Sequence, residues 1–280
     1  MFQDLKLTYA SLGAFAKYPC ESILANKDKA RKSQKKYGFY QSEKEIFKQL
    51  ATELGLTSLS DEDITYIRHP LVYLVEAADD ICYLIIDLED AYRMKVISYN
   101  QFVDMVAPLL GSTYNKVKLS AIHDESQQIG LLRALTINQL VNECATVFSQ
   151  NEAAILKGEF DKALSDRVPS QKYTEEIGKY SFEHIYNSQK VLEVQAAGFE
   201  VLPGLIEIFM DAIEDYFSHD KKAAPRNINV VRMLPKHITN PEFLYTSTFY
   251  CRSRKVLDFV SGLTDKYAVS LYRKLKGIQF

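Results

Sequence analysis

Long apolar runs, paired cysteines and an imbalance of charge are all missing from this chain of 280 residues, and each absence removes a class of function. No stretch approaches the roughly 18 uninterrupted apolar residues of a membrane-crossing helix. The opening Met1-Phe2-Gln3-Asp4-Leu5-Lys6 has neither the basic start nor the apolar run of a secretory signal. A soluble, cytoplasmic protein with no membrane partner is expected. Cys20, Cys82, Cys144 and Cys251 lie far apart with no Cys-x-x-Cys pair, which argues against a zinc cluster and for free thiols in a reducing compartment. Lys plus Arg (34) nearly balance Asp plus Glu (36), so no global field draws the chain onto nucleic acid, and any such binding has to be local. Internal repeats, low-complexity tracts and alternating β-branched runs with hairpin turns are absent too.

What is present is helical periodicity and an apolar fraction of 47%, enough for a sizeable core, so the expected fold class is all-α. A first helix runs from Leu5 to Ala16 and stops near Pro19. A lysine-rich connection from Asn26 to Lys36 ends in the Tyr37-Gly38 turn. Ser42 with Glu45 has the spacing of a capping box for a helix reaching Leu54. Pro70 suits the first position of a long helix ending near Lys95, because its missing N–H has no partner to lose there. Further helices are read over Tyr99 to Val106, broken at Pro108 to Gly111, and over Gln127 to Ser149, Tyr173 to Ala196 and Leu202 to His219. Lys221 to Pro225 is a loop, and Asn240-Pro241 opens a last helical segment interrupted at Gly262. Arg167-Val168-Pro169-Ser170 marks the junction between two parts, 1–168 and 169–280.

The long helix carries the most information. At about 100° per residue, Asp79, Tyr83, Asp87 and Asp90 fall within an arc of roughly 80°, with Ile81, Leu84, Ile85 and Leu88 on the opposite side. Aligned carboxylates with a phenol read either as a metal or polyol site or as the solvated acidic face of an ordinary amphipathic helix.

Four segments bear on that choice. Glu76-Ala77-Ala78-Asp79-Asp80-Ile81-x-Tyr83 followed by Asp87-Leu88-Glu89-Asp90-Ala91 resembles the last metal-ligand helix of the deoxyguanosine triphosphate triphosphohydrolases, a branch of the HD phosphohydrolase superfamily. Leu7 to Pro19, containing Lys17-Tyr18-Pro19, is similar to the family segment before that helix, and Lys36 to Glu43 to the loop between them. Asp258 to Ala268 resembles the closing motif, with Leu263 where methionine is commoner. The four occur in the family's order and span almost the whole chain.

The resemblance implies an HD-domain-type helical bundle, partial here, with a C-terminal helical extension. It implies hydrolysis of dGTP to deoxyguanosine and tripolyphosphate, in which a divalent ion (Mg, Mn or Fe) polarises the α-phosphate and lowers the pKa of an attacking water. Asp79 matches the metal ligand, Tyr83 the ring packed under the deoxyribose, and Asp87 the acceptor for the 3′-hydroxyl. Lys17 matches a phosphate-directed lysine; the alternative is a solvated lysine at a helix end. No catalytic acid or base is assigned. The family's ligand order is a histidine, a His-Asp pair, then the distant aspartate, but only His69 precedes Asp79, and it belongs to the helix start. His123-Asp124 and His219-Asp220 follow Asp79 in polar, loop-like settings and are read as chance dipeptides. The chain thus resembles the later part of the enzyme, with Met1 an internal start, and is expected to be inactive alone. The alternative is a non-catalytic homologue acting as a nucleotide-binding regulatory or assembly subunit.

Other residues stay open. Arg252 and Arg254 can reach phosphate or pair with Asp258 or Asp265. The run from Lys27 to Lys36, with Tyr37 and Tyr40 beside it, is a solvated loop or one of the basic surfaces on which the family's homo-oligomers take regulatory nucleotides or single-stranded DNA. Asp90 has no proposed partner. Tyr180, Phe182 and Tyr186 sit at core-like spacing and are given no function.

Overall fold

The computed structural model describes residues 6–219, 222–240 and 247–278. Among them are twelve α-helices and no strand, only three isolated β-bridges, as helical periodicity predicts. The residues divide into two compact units, Met1–Asn187 and Ser188–Phe280.

In the first unit, α1 (Tyr9–Phe15) starts at Thr8, whose hydroxyl accepts the Ser11 N–H, and ends before Pro19. The basic connection that follows is fastened to the fold. The buried Cys20 thiol donates to the Lys36 carbonyl at 3.1 Å, and Gly38 donates to the Cys20 carbonyl. A Cβ at Gly38 would stand 2.2 Å from the Tyr18 carbonyl oxygen, so only glycine fits this close approach. α2 (Lys44–Glu53) has no side-chain cap of its own, and the capping box expected from Ser42 and Glu45 lies two residues earlier, on the 3₁₀ turn Gln41–Glu43 that leads into it. Glu43 accepts the Tyr40 N–H at 2.8 Å across a 3₁₀ turn, while Glu45 pairs with Lys48.

α3 (Pro70–Arg93) begins at Pro70 as expected, with His69 as its cap, Nδ1 accepting the Leu71 N–H at 3.3 Å. Burial holds the imidazole below its ordinary pKa, which keeps it in the neutral, accepting form. α4 (Tyr99–Leu110) runs through Pro108 to Gly111, which has φ +49°. The proline stands in the last turn on the exposed side, where losing one backbone bond does not end the helix. α5 (Lys116–Ser120), α6 (Glu125–Gln150), α7 (Glu152–Leu156) and α8 (Gln171–Tyr180) follow, and a π-turn, Ser181–Tyr186, closes the unit. Asp124 caps α6 by accepting the Gln127 N–H, so the first His-Asp dipeptide has a structural role. Ile81, Ile85 and Leu88 of α3 form one core with residues of α4 and α6, such as Phe102, Ile129 and Leu140.

That core also takes in Leu164, Val168, Ile177 and Ile185. The expected division after residue 168 therefore falls inside the first unit, because the segment beyond it buries its apolar side chains there. The expected gap between helices at residues 196–202 is also displaced. α9 (Gln189–His219) is continuous through Pro203, and the break lies at Asn187-Ser188.

In the second unit, α9 packs with α10 (Pro225–Arg232), α11 (Phe249–Ser261) and α12 (Asp265–Leu275) around Leu205, Phe209, Ile213, Val256 and Leu271. The interruption at Gly262 is where the sequence places it. Leu5, Asp220 and Pro241, which figure in the expected boundaries and dipeptides, lie outside the described residues. The second dipeptide's His219 lies 3.0 Å from Asp215. The described cysteines are all free, and no described helix is long and apolar enough to cross a membrane.

Candidate functional site

Helix α3 sorts its acids by depth. Glu76, on the same side as the acidic arc, has a side chain only 1% exposed and is gripped by three cations. Lys17 Nζ lies 3.1 Å and Lys32 Nζ 3.4 Å from its Oε1, and Arg68 donates to its Oε2 at 3.0 Å. Arg68 is fully buried. Its Nε donates to the Lys17 carbonyl, Asp161 lies 3.8 Å from the same nitrogen, and Nη2 has no hydrogen-bond partner among the described residues. Burial alone would lower the Lys17 pKa, but the Glu76 carboxylate, with Asp80 nearby, outweighs it and raises it, so the ammonium stays charged. Lys17 is thus half-buried and anchored by its partner rather than solvated at a helix end.

One turn further on the acids separate. Asp79 is exposed, and no hydrogen bond or ion pair engages it among the described residues. Asp80 turns into the fold, where Ser165 Oγ donates to Oδ2 at 2.8 Å; burial raises its pKa more than Ser165 and Lys17 lower it. Beside it opens a pocket of about 190 Å³ floored by Ile81, Leu84 and Leu140. Tyr83, 62% exposed, follows Asp79 on the outer side. Asp87 is half-buried and accepts the Tyr186 hydroxyl at 2.5 Å. Asp90 is exposed, with Arg93 at 3.9 Å. Asp79, Tyr83 and Asp87 therefore lie on successive turns, while Lys17 reaches the helix at Glu76 and Asp80.

The sequence leaves Glu76 without a role and gives Tyr186 and Phe182 core-like spacing, whereas both aromatic side chains are exposed and Tyr186 meets Asp87. The signal for Glu76 was its place in the arc of Asp79 and Asp87; for Tyr186 there was none, its partner being 99 residues away. Among the described residues no group of three or more His, Cys, Asp or Glu side chains is placed to hold a metal. Asp79 offers a single free carboxylate, which fits one ligand and not a cage.

Arg252 and Arg254 belong to the second unit and are occupied. Arg252 is buried, donating Nε and Nη2 to Glu214 at 2.6 and 2.8 Å and Nη1 to the Ser247 carbonyl, with its guanidinium 3.7 Å from the Phe217 ring centre. Arg254 pairs with Asp258 at 2.8 Å. The basic connection forms a hollow of about 590 Å³ with Lys27, Lys35, Lys36, Tyr37 and Tyr40 on its walls.

The family described as phosphohydrolase-associated domain matches residues 163–274, a span that includes Ser165 and Tyr186. A deoxyguanosinetriphosphate triphosphohydrolase-like protein of Synechocystis is 35% identical over 278 residues, covering 98% of this chain and 60% of the relative. One from Pseudomonas aeruginosa is 31% identical over 97% of this chain. A protein of Yersinia enterocolitica named deoxyguanosinetriphosphate triphosphohydrolase is 29% identical, again over 97%. The chain spans about 60% of the length of these curated relatives. Over almost its whole length, then, this chain is similar to proteins named deoxyguanosinetriphosphate triphosphohydrolase or triphosphohydrolase-like, and residues 163–274 match the phosphohydrolase-associated domain.

Proposed function

We propose that this chain supplies the sugar- and phosphate-holding part of a dNTP triphosphohydrolase, which converts dGTP and water to deoxyguanosine and tripolyphosphate. What carries the reading is the similarity, across 97–98% of the chain, to relatives named deoxyguanosinetriphosphate triphosphohydrolase or triphosphohydrolase-like. In this reading Asp79 gives one ligand to a divalent ion (Mg, Mn or Fe). Tyr83 lies under the deoxyribose and leaves little room for a 2′-hydroxyl. Asp87 accepts from the 3′-hydroxyl, and an unpaired buried group of that kind discriminates strongly. Lys17, held by Glu76, faces the phosphates as a point charge. The basic hollow beside Tyr37 and Tyr40 suits a regulatory nucleotide or single-stranded DNA, and the assembled protein is a homo-oligomer.

The test is to incubate the chain with dGTP and Mg²⁺ or Mn²⁺, alone and with a supplied amino-terminal HD segment, and to assay tripolyphosphate. The expected result is none alone and product with the segment. No tripolyphosphate under either condition removes the enzymatic reading. If calorimetry then still shows dGTP binding, abolished by Tyr83→Ala or Asp87→Ala, the chain is a nucleotide-binding regulatory or assembly subunit.

A further inference from the structure

Tyr186 stands at the last position of the π-turn Ser181–Tyr186. Such wide turns are rare and frequently found at functional sites, and the extra residue re-aims the side chains around it. Here Ile185 enters the core while the neighbouring phenol reaches Asp87 Oδ2 on α3. Burial first, and the Asp87 carboxylate second, push the Tyr186 pKa up to about 12, so the hydroxyl keeps its proton and is the donor at neutral pH.

A carboxylate offers two oxygens, and the Tyr186 bond uses one. Oδ1 of Asp87 has no hydrogen bond among the described residues, and the bond to Oδ2 restricts the rotation of the carboxylate and so the directions in which Oδ1 points. We propose that Tyr186 is a positioning residue for the sugar: it holds Asp87 so that one carboxylate oxygen meets the 3′-hydroxyl, and so sets the preference for nucleotides that carry this hydroxyl over those that lack it. This rests on the assignment of Asp87 to the 3′-hydroxyl made above. A purely structural tie between the π-turn and α3 is the competing role. Ile185 of the same π-turn is buried in the core shared with α3, so the turn keeps a fastening when the Tyr186 hydroxyl is removed.

The experiment measures the affinities of the full chain for dGTP and for 2′,3′-dideoxyGTP by calorimetry, in the parent and in Tyr186→Phe, Asp87→Ala and Tyr180→Phe. Tyr180→Phe removes the phenol at the other end of the π-turn, which is bonded to Gln101 and not to Asp87. Hydrogen bonds to a charged partner give the parent a preference for dGTP of about tenfold or more. Tyr186→Phe is expected to reduce that ratio by about three- to tenfold through weaker dGTP binding, with dideoxyGTP affinity unchanged. Asp87→Ala abolishes the ratio and Tyr180→Phe leaves it as in the parent. A parental ratio in Tyr186→Phe, or an equal loss for both nucleotides, overturns the proposal. A parent without preference, or a parental ratio in Asp87→Ala, instead overturns the assignment of Asp87, and the proposal with it.

Discussion

Each compact unit buries an arginine against a glutamate, and the two pairs are built for different ends. In the second unit every nitrogen of Arg252 is engaged, with its two-point contact to Glu214, a backbone carbonyl on the remaining nitrogen and an aromatic face beneath. In the first, Arg68 gives one nitrogen to Glu76 and leaves Nη2 without a hydrogen bond, while Glu76 is shared with two lysines from distant parts of the chain. A closed pair staples helices together. An over-subscribed glutamate gathers cations at one place, and this one gathers them a turn before Asp79. The same residue types thus serve packing in one unit and charge placement in the other, and the difference is read from how many of their polar atoms are satisfied.

The comparison can be broken most severely at Glu76. Glu76→Ala leaves a fully buried guanidinium without its carboxylate and is expected to cost about 4 kcal/mol in urea unfolding followed by far-UV circular dichroism. Arg252→Ala is expected to cost about 3 kcal/mol, somewhat less because Glu214, left behind, is 31% exposed and regains water. The milder pair Glu76→Gln and Glu214→Gln sharpens the functional side: the first is expected to weaken dGTP binding about tenfold by loosening Lys17, the second to leave it unchanged, since its arginine is committed to the fold.

The pH dependence supplies a smaller contrast. Burial alone would raise the Glu21 pKa, but the Lys44 ammonium at 2.6 Å, with the Ile64 N–H and Gln41, outweighs it and holds the carboxyl below its ordinary value of 4.5. A lowered carboxyl pKa gives stability that is complete above the ordinary value and is lost as the pH falls through the lowered one. The urea midpoint of the first unit should therefore drop on acidification below 4.5, and Lys44→Met should flatten that limb. At the bottom of the scale is Lys172–Glu176, 4.0 Å apart with side chains 79% and 62% exposed. Lys172→Ala should move the unfolding free energy by no more than about 0.5 kcal/mol.

The all-α class and the limits of α3 were legible because they depend on local rules: periodicity, a proline at the first helical position and an apolar face seen once per turn. Boundaries failed where a neighbouring competitor was equally plausible locally. The capping box forms on Tyr40 and Glu43 in place of Ser42 and Glu45, and α9 runs straight through the gap expected at residues 196–202. Of the site, the spacing of Asp79, Tyr83 and Asp87 could be read because it lies within one helix. The grip of Lys17, Lys32 and Arg68 on Glu76 could not, since three separate loops deliver them. Arg252 looked available for phosphate because nothing near it in the sequence reveals Glu214 or Phe217.

The unequal placement of the thiols gives α3 a chemical address. Cys20 and Cys144 are buried, and burial drives both to a pKa of about 11, far from the reactive thiolate at neutral pH. Cys82 is exposed on α3, adjacent in sequence to Tyr83 and three residues beyond Asp79. An alkylating reagent therefore meets a thiol next to the acidic arc well before it reaches Cys20 and Cys144, and once the half-buried Cys251 is replaced by serine the speed of that modification becomes a direct gauge of whatever covers the helix.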